Sequence, residues 1–293
     1  MISIVFVKPN EQYDVPFEKR KFDGMKIILS RKGFDSQFGK QASPILPDGT
    51  MLSMPIPSND LLTYKDITFA ELSYYDIIKE LNPRTYLKEN SHCHLDPDLR
   101  AGTLERGEGW IPAFGQTGSS LTELRVNGVK EGDLFLFFGW FKQTEYHKGK
   151  IRYVPKTPSL HVIYGYMQIG NVVESFEEIP RWLKYHPHSN VDNYMAAWSK
   201  GMNAIYLPTS HLSIVPDLTG SGTFTFDKRL VLTKEGYSRS RWEFPDEMRG
   251  VEISHNPHGW KADYFQSASR GQEFIIDVTP AVMDWVKYLF DIK

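Results

Sequence analysis

The densest chemistry in the chain is the run His92-Cys93-His94-Leu95-Asp96-Pro97-Asp98-Leu99-Arg100. Its polar residues fall at every second position. On an extended backbone alternate side chains share a face, so His92, His94, Asp96, Asp98 and Arg100 would line one side. Pro97 supports this at Asp96, because a residue before proline is steered away from helix. Two imidazoles and two carboxylates admit two kinds of chemistry. His92, His94 and Asp96 carry donor types suited to a divalent metal. Without metal, His94 or Asp96 would act as general base, with Asp98 beside them and Arg100 holding an anion. The competing reading is a solvated turn in which Asp96 and Asp98 cap backbone N–H groups. Cys93 is a nucleophile candidate by type, although a lone cysteine is more commonly a small buried residue.

Other stretches could supply a substrate-binding wall. Arg31-Lys32-Gly33-Phe34-Asp35 follows an apolar run, and paired cations at a strand end suit a phosphate or carboxylate. Asp35 could then accept from a base or sugar. The segment is not a Walker loop, since no glycine-rich run leads into Lys-Ser or Lys-Thr. Phe114-Gly115-Gln116-Thr117-Gly118-Ser119-Ser120 could offer N–H groups to an anion, and Gln116 has the donor and acceptor needed to read a base edge. Trp140, His161, Tyr164 and Tyr166 could stack on an extruded base, against the plainer outcome of core packing. Arg239-Ser240-Arg241-Trp242 reads as a phosphate contact, and Arg270 with Glu273 as groups that close on a nucleotide. Each of these is equally readable as solvated surface.

The elements that must position these groups centre on Gly132 to Ser175. Leu134-Phe135-Leu136-Phe137-Phe138-Gly139-Trp140-Phe141 and Leu160 to Ser175 are rich in aromatic and β-branched residues, which predicts strands covered on both faces. Gly139 signals a bulge or a close backbone approach. Met25 to Ser30 reads as a first strand, Asn203 to Leu207 and Phe274 to Val278 as later ones. Helices are expected over Glu71–Leu81, Ser120–Asn127, Ile179–Tyr185, Asp192–Trp198 and Pro280–Phe290, the last with Val282, Trp285, Val286 and Leu289 on one face. This order predicts an α+β fold, a mixed and mainly antiparallel sheet or PUA-like β-barrel core with peripheral helices. Residues 1–24 are expected to be an extension outside the core, and residues 25–293 a single domain.

The totals set limits. A chain of 293 residues, 41% hydrophobic and 24% charged, has enough apolar surface for a large core. A net charge of −2 argues against indiscriminate binding to phosphate backbones. One cysteine excludes an internal disulfide framework, and no apolar run reaches the roughly 20 residues of a membrane span. A cytoplasmic protein without membrane partners is the expectation.

Ile28 to Asp35, Ser43 to Thr50, His94 to Asp98, Gly132 to Phe141 and Arg270 to Phe274 together resemble the nucleotide modification associated domain family, in its branch of DNA base hypermodification proteins. The resemblance covers Met25 to the C-terminal region. It implies a DNA or nucleotide substrate, with other base-modification enzymes as partners, and it supplies neither a reaction nor a cofactor. A shorter likeness links the strands around residues 132–175 to the PUA, ASCH and EVE barrels, which implies recognition of RNA or modified bases. Three functions follow as expectations: a base-modifying enzyme, a non-catalytic reader of modified nucleic acid, and a metal-dependent nucleotide hydrolase or nuclease. In the first, His94, Asp96, Asp98 and Asp35 are the catalytic candidates. Arg31, Lys32, Arg100, Gln116, Trp140, Tyr164 and Arg270 are the substrate-binding ones.

Overall fold

The computed structural model describes residues 24–268 and 272–291. Arg270 and the extension expected over residues 1–24, apart from Gly24, lie outside these. The main sheet has nine strands among the described residues. In chain order they are β1 (Lys26–Arg31), β2 (Ser43–Ile45), β3 (Phe114–Thr117), β4 (Leu134–His147), β5 (Lys150–Tyr153), β6 (Leu160–Val173), β7 (Asn203–Pro208), β8 (Ser221–Thr223) and β9 (Glu273–Asp277). The path across the sheet is β9-β1-β4-β6-β7-β3, with β2 and β5 paired to β4 and β8 to β6. Only β1 and β2 run parallel to β4; the other pairings are antiparallel. The sheet is curled into a half-barrel, and with its helices the fold is α+β, as the sequence predicts.

The central position of β4 follows from its composition. Leu134 to Phe138 are all buried, so the strand must be covered on both faces. On one face Phe135 and Phe137 meet Phe114 edge-on, with centroids 4.9 and 5.1 Å away. On the other, Phe138 meets Trp242 at 5.0 Å and Phe274 at 6.1 Å. Each such aromatic contact contributes about 0.5–1.5 kcal/mol beyond area burial. Gly139 is the close backbone approach: a Cβ there would lie 2.7 Å from the carbonyl oxygen of Lys32. The bulge falls instead on β6, between Ile163 and Gly165.

Four α-helices flank the sheet among the described residues: α1 (Tyr74–Leu81), α2 (Gly118–Val126), α3 (Val191–Trp198) and α4 (Pro280–Leu289). Helix α1 starts later than its apolar period suggests, because Ser73 and Asp76 form a capping box. Helix α4 buries the predicted Val282, Trp285, Val286 and Leu289 behind a Thr279 cap and a first-turn proline. Ile179–Tyr185 forms no α-helix but includes a short 3-10 turn, Arg181–Leu183. The ends of the sheet, β3 and β9, are not paired through backbone. Helix α2 packs against both strands. Gln116 Nε2 of β3 also donates to Glu273 Oε1 of β9 at 2.6 Å. This side-chain seam lies in the wall of the candidate site.

Candidate functional site

Because β3 ends the sheet, its outer backbone edge has no strand beside it. The chain following His94 takes that place. Asp98 and Ala113 exchange both backbone hydrogen bonds, at 2.9 and 3.1 Å, and the Gly115 N–H donates to Asp96 Oδ1 at 2.7 Å. His94 enters on a two-residue strand, Cys93–His94, paired to Ile56–Pro57. The third approach is the 3-10 turn Pro187–Ser189, capped by His186. These segments place His94, Asp96 and His188 together, with one ligand-type atom of each within 4.8 Å of the others.

The hydrogen bonds around this cluster fix its tautomers. Asn203 Nδ2 donates to the His188 carbonyl, so its Oδ1 is the atom facing His188 Nδ1 at 2.6 Å. Since Oδ1 only accepts, the neutral ring carries its proton on Nδ1 and keeps a lone pair on Nε2. His94 Nδ1 faces Asp60 Oδ2 at 2.7 Å, so in the neutral ring the proton sits on Nδ1 and the lone pair on Nε2. Both Nε2 atoms point to Asp96 Oδ2, at 3.9 and 4.0 Å. His186 accepts the His188 N–H at its Nδ1, so its Nε2 carries the hydrogen, 3.2 Å from Asp96 Oδ1. Tyr194 of α3 stacks on His188 with centroids 4.7 Å apart.

Burial alone would raise the Asp96 pKa, but His186, His188 and His94 outweigh it and hold the carboxyl at about 2. Burial drives His188 down to about 3 against the pull of Asp96. Burial works against the Asp60 charge too, and the bond from His94 leaves its pKa below the usual value. A carboxylate held at about 2 is ionised at neutral pH yet a feeble proton acceptor. Asp96 is therefore suited to charge and ligation, and the general-base expectation moves away from it.

Arg31, Lys32, Asp35, His94, Asp96 and Gln116, from three separate stretches of sequence, line one cavity of about 220 Å³ with His188 and Tyr194. Several of these groups are already engaged. Lys32 Nζ pairs with the fully buried Glu273 at 3.1 Å and sits 4.4 Å from the Phe114 ring centroid. Asp35 Oδ1 accepts the N–H groups of Gln37 and Phe38 at 2.7 and 2.6 Å, closing its own turn. Arg31 and Asp35 also line a second cavity of about 650 Å³, beside Trp140, His161 and Arg239. There the Arg239 guanidinium lies 4.1 Å from the Trp140 ring centroid, so Trp140 belongs to this neighbouring cavity.

Other candidates sit elsewhere, because the alternation of the His92 run stops at Asp96. Asp98 is a buried structural anion: Arg106 grips it through two bonds of 2.6 and 2.7 Å, and Tyr185 adds a third. Arg100 donates to the Met51 carbonyl and lines a separate void of about 30 Å³ with Tyr164. His92 is exposed and bonds the Asp60 carbonyl, so His188 stands where the sequence suggested His92. Burial pushes the Cys93 thiol pKa up, which removes it as a nucleophile. The residues missed were Asp60, His186, His188 and Tyr194. A signal for two of them existed, since His186-Pro187-His188 repeats the His-x-His spacing of residues 92–94.

No helix among the described residues is long and apolar enough to cross a membrane. No curated protein and no solved structure matches the chain. The narrower likeness of its central strands to PUA-type barrels is not confirmed. The family model described as Nucleotide modification associated domain 3 matches residues 26–277, a span that includes β1, β9 and every cavity residue named above. The chain thus belongs to the nucleotide modification associated domain 3 family, and its association is with nucleotide modification.

Proposed function

We propose that this chain is a catalytic domain of DNA base hypermodification, in which a single base enters the smaller cavity and has a group transferred to it. The observation that carries this reading is the convergence of His94, Asp96 and His188 on a cavity that Arg31 also lines. A cluster of unprotonated nitrogen and oxygen atoms in a partly enclosed site is what a reacting centre requires. The larger cavity suits the flanking strand. Arg239 over Trp140 offers a flat cationic surface for a neighbouring base, and Arg31 lies between the two cavities where the connecting phosphate would pass.

Mass spectrometry of nucleosides from DNA of cells with and without the gene tests the reading. A gene-dependent modified nucleoside that disappears in the His188→Ala strain is expected. An unchanged nucleoside profile, together with tight binding to DNA carrying modified bases, overturns catalysis and favours a reader.

A further inference from the structure

We propose that His94 Nε2, Asp96 Oδ2 and His188 Nε2 hold one divalent transition-metal ion on the cavity wall, with its remaining positions open to the cavity. Three lone-pair atoms face one another here at 3.9–4.8 Å, and the hydrogen on each imidazole is on the far side, directed at Asp60 or Asn203. Converging acceptors repel unless a cation sits between them. Ligand atoms about 2.1 Å from a metal stand about 3.0–3.4 Å apart. Closure around an ion therefore needs shifts of less than about 1 Å, within reach of small side-chain rotations.

The surroundings have the form of a metal site. Each ligating histidine donates its other N–H to an oxygen, which fixes tautomer and ring orientation. Asp60 is itself held by Asn193 Nδ2 at 2.8 Å, and Asn203 by its bond to the His188 carbonyl at 3.1 Å. Asp96 Oδ1 takes the Gly115 N–H and faces the His186 N–H, so Oδ2 is left for the ion. Two imidazoles with one carboxylate suit iron, zinc, manganese or nickel better than magnesium or calcium, which prefer all-oxygen sites. A metal bound through His94 Nε2 also withdraws that nitrogen as a proton acceptor. The base in any reaction is then a metal-bound water, whose pKa falls toward about 7 on such ions. That last role rests on the function proposed above; the binding of metal does not.

The test uses the full chain, stripped with chelator and titrated calorimetrically with Zn²⁺, Mn²⁺ and, without oxygen, Fe²⁺. One equivalent of at least one of these per chain is expected. His188→Ala and Asp96→Ala are expected to weaken binding at least 100-fold, Asp60→Asn about 10–100-fold, and His92→Ala not at all. If an alanine variant fails to fold, as read by circular dichroism, His94→Gln with Co²⁺ as probe reports the loss of a nitrogen ligand in the visible spectrum. Absence of saturable binding to the native chain, or native affinity in His188→Ala, overturns the proposal. Metal binding without any modified nucleoside overturns the proposed function and leaves the site intact, whereas modification by metal-free protein overturns the role of a metal-bound water and leaves both the function and the binding site standing.

Discussion

Gly115 and His188 are built into one another's space: a Cβ on the glycine would lie 2.2 Å from Cδ2 of the imidazole. The ring has no room to retreat, since Asn203 holds its Nδ1 and Tyr194 covers its face. Gly115 is needed here for space rather than for an unusual backbone angle, and its N–H also fixes Asp96. Gly115→Ala is expected to cost about 1–3 kcal/mol by overpacking and to displace His188. Thermal denaturation reads the first effect and Zn²⁺ titration the second. Gly102→Ala, where a Cβ meets nothing within 4 Å, serves as the control and should match the native chain in both.

The Asp98–Arg106 pair separates structural from chemical roles in the His92 run. Both side chains are largely buried, at 1% and 10% exposure. Arg106→Ala leaves an uncompensated carboxylate, and a loss of about 3–5 kcal/mol is expected in denaturant unfolding. Metal affinity of the folded fraction should stay at the native level. A tenfold or larger loss of affinity would show that Asp98 is coupled to the site.

His161 provides a pH signature away from the proposed ligands. Burial, reinforced by Arg31 and Arg239, holds its pKa well below 6.5, and Trp242 Nε1 donates to its Nδ1 at 3.0 Å. The folded ring stays neutral while the unfolded ring takes a proton below about 6.5, so stability is present above that pH and is lost as pH falls. At pH about 5.5 the loss amounts to about 1.4 kcal/mol. His161→Gln keeps an acceptor for Trp242 and removes the titration. Its unfolding free energy should therefore fall less than that of the native chain between pH about 7.5 and 5.5. Equal pH slopes for the two proteins would refute the assignment.

What could be read from sequence was mostly local. The runs Ile27–Leu29, Leu134–Phe138 and Phe274–Ile276 are apolar enough to demand a covered sheet, and each is a strand. The His92 alternation was legible as far as Asp96, and the Arg31–Asp35 turn does share a cavity with it. Lys32 could not be seen to be neutralised, because its partner Glu273 arrives only when β9 pairs with β1. Likewise Asp98 looked like a neighbour of Asp96 in function, but Arg106 and Tyr185 draw it to the other side. His186 and His188 carried the same spacing as His92 and His94. Their importance depends on a 3-10 turn being pressed against β3, a non-local contact with no local sequence signature.

The seam between β3 and β9 also bears on the life of the chain during synthesis. A ribosome that has released residues 24–203 has produced His94, Asp96, His188 and their supporting Asp60 and Asn203. The opposite wall still lacks Glu273, so Lys32 has no counter-ion and Gln116 no acceptor across the gap. The half-barrel is finished only when its last strand docks beside its first. Nascent or prematurely terminated chains would therefore carry the proposed ligands without a completed cavity, whose wall closes only when β9 docks.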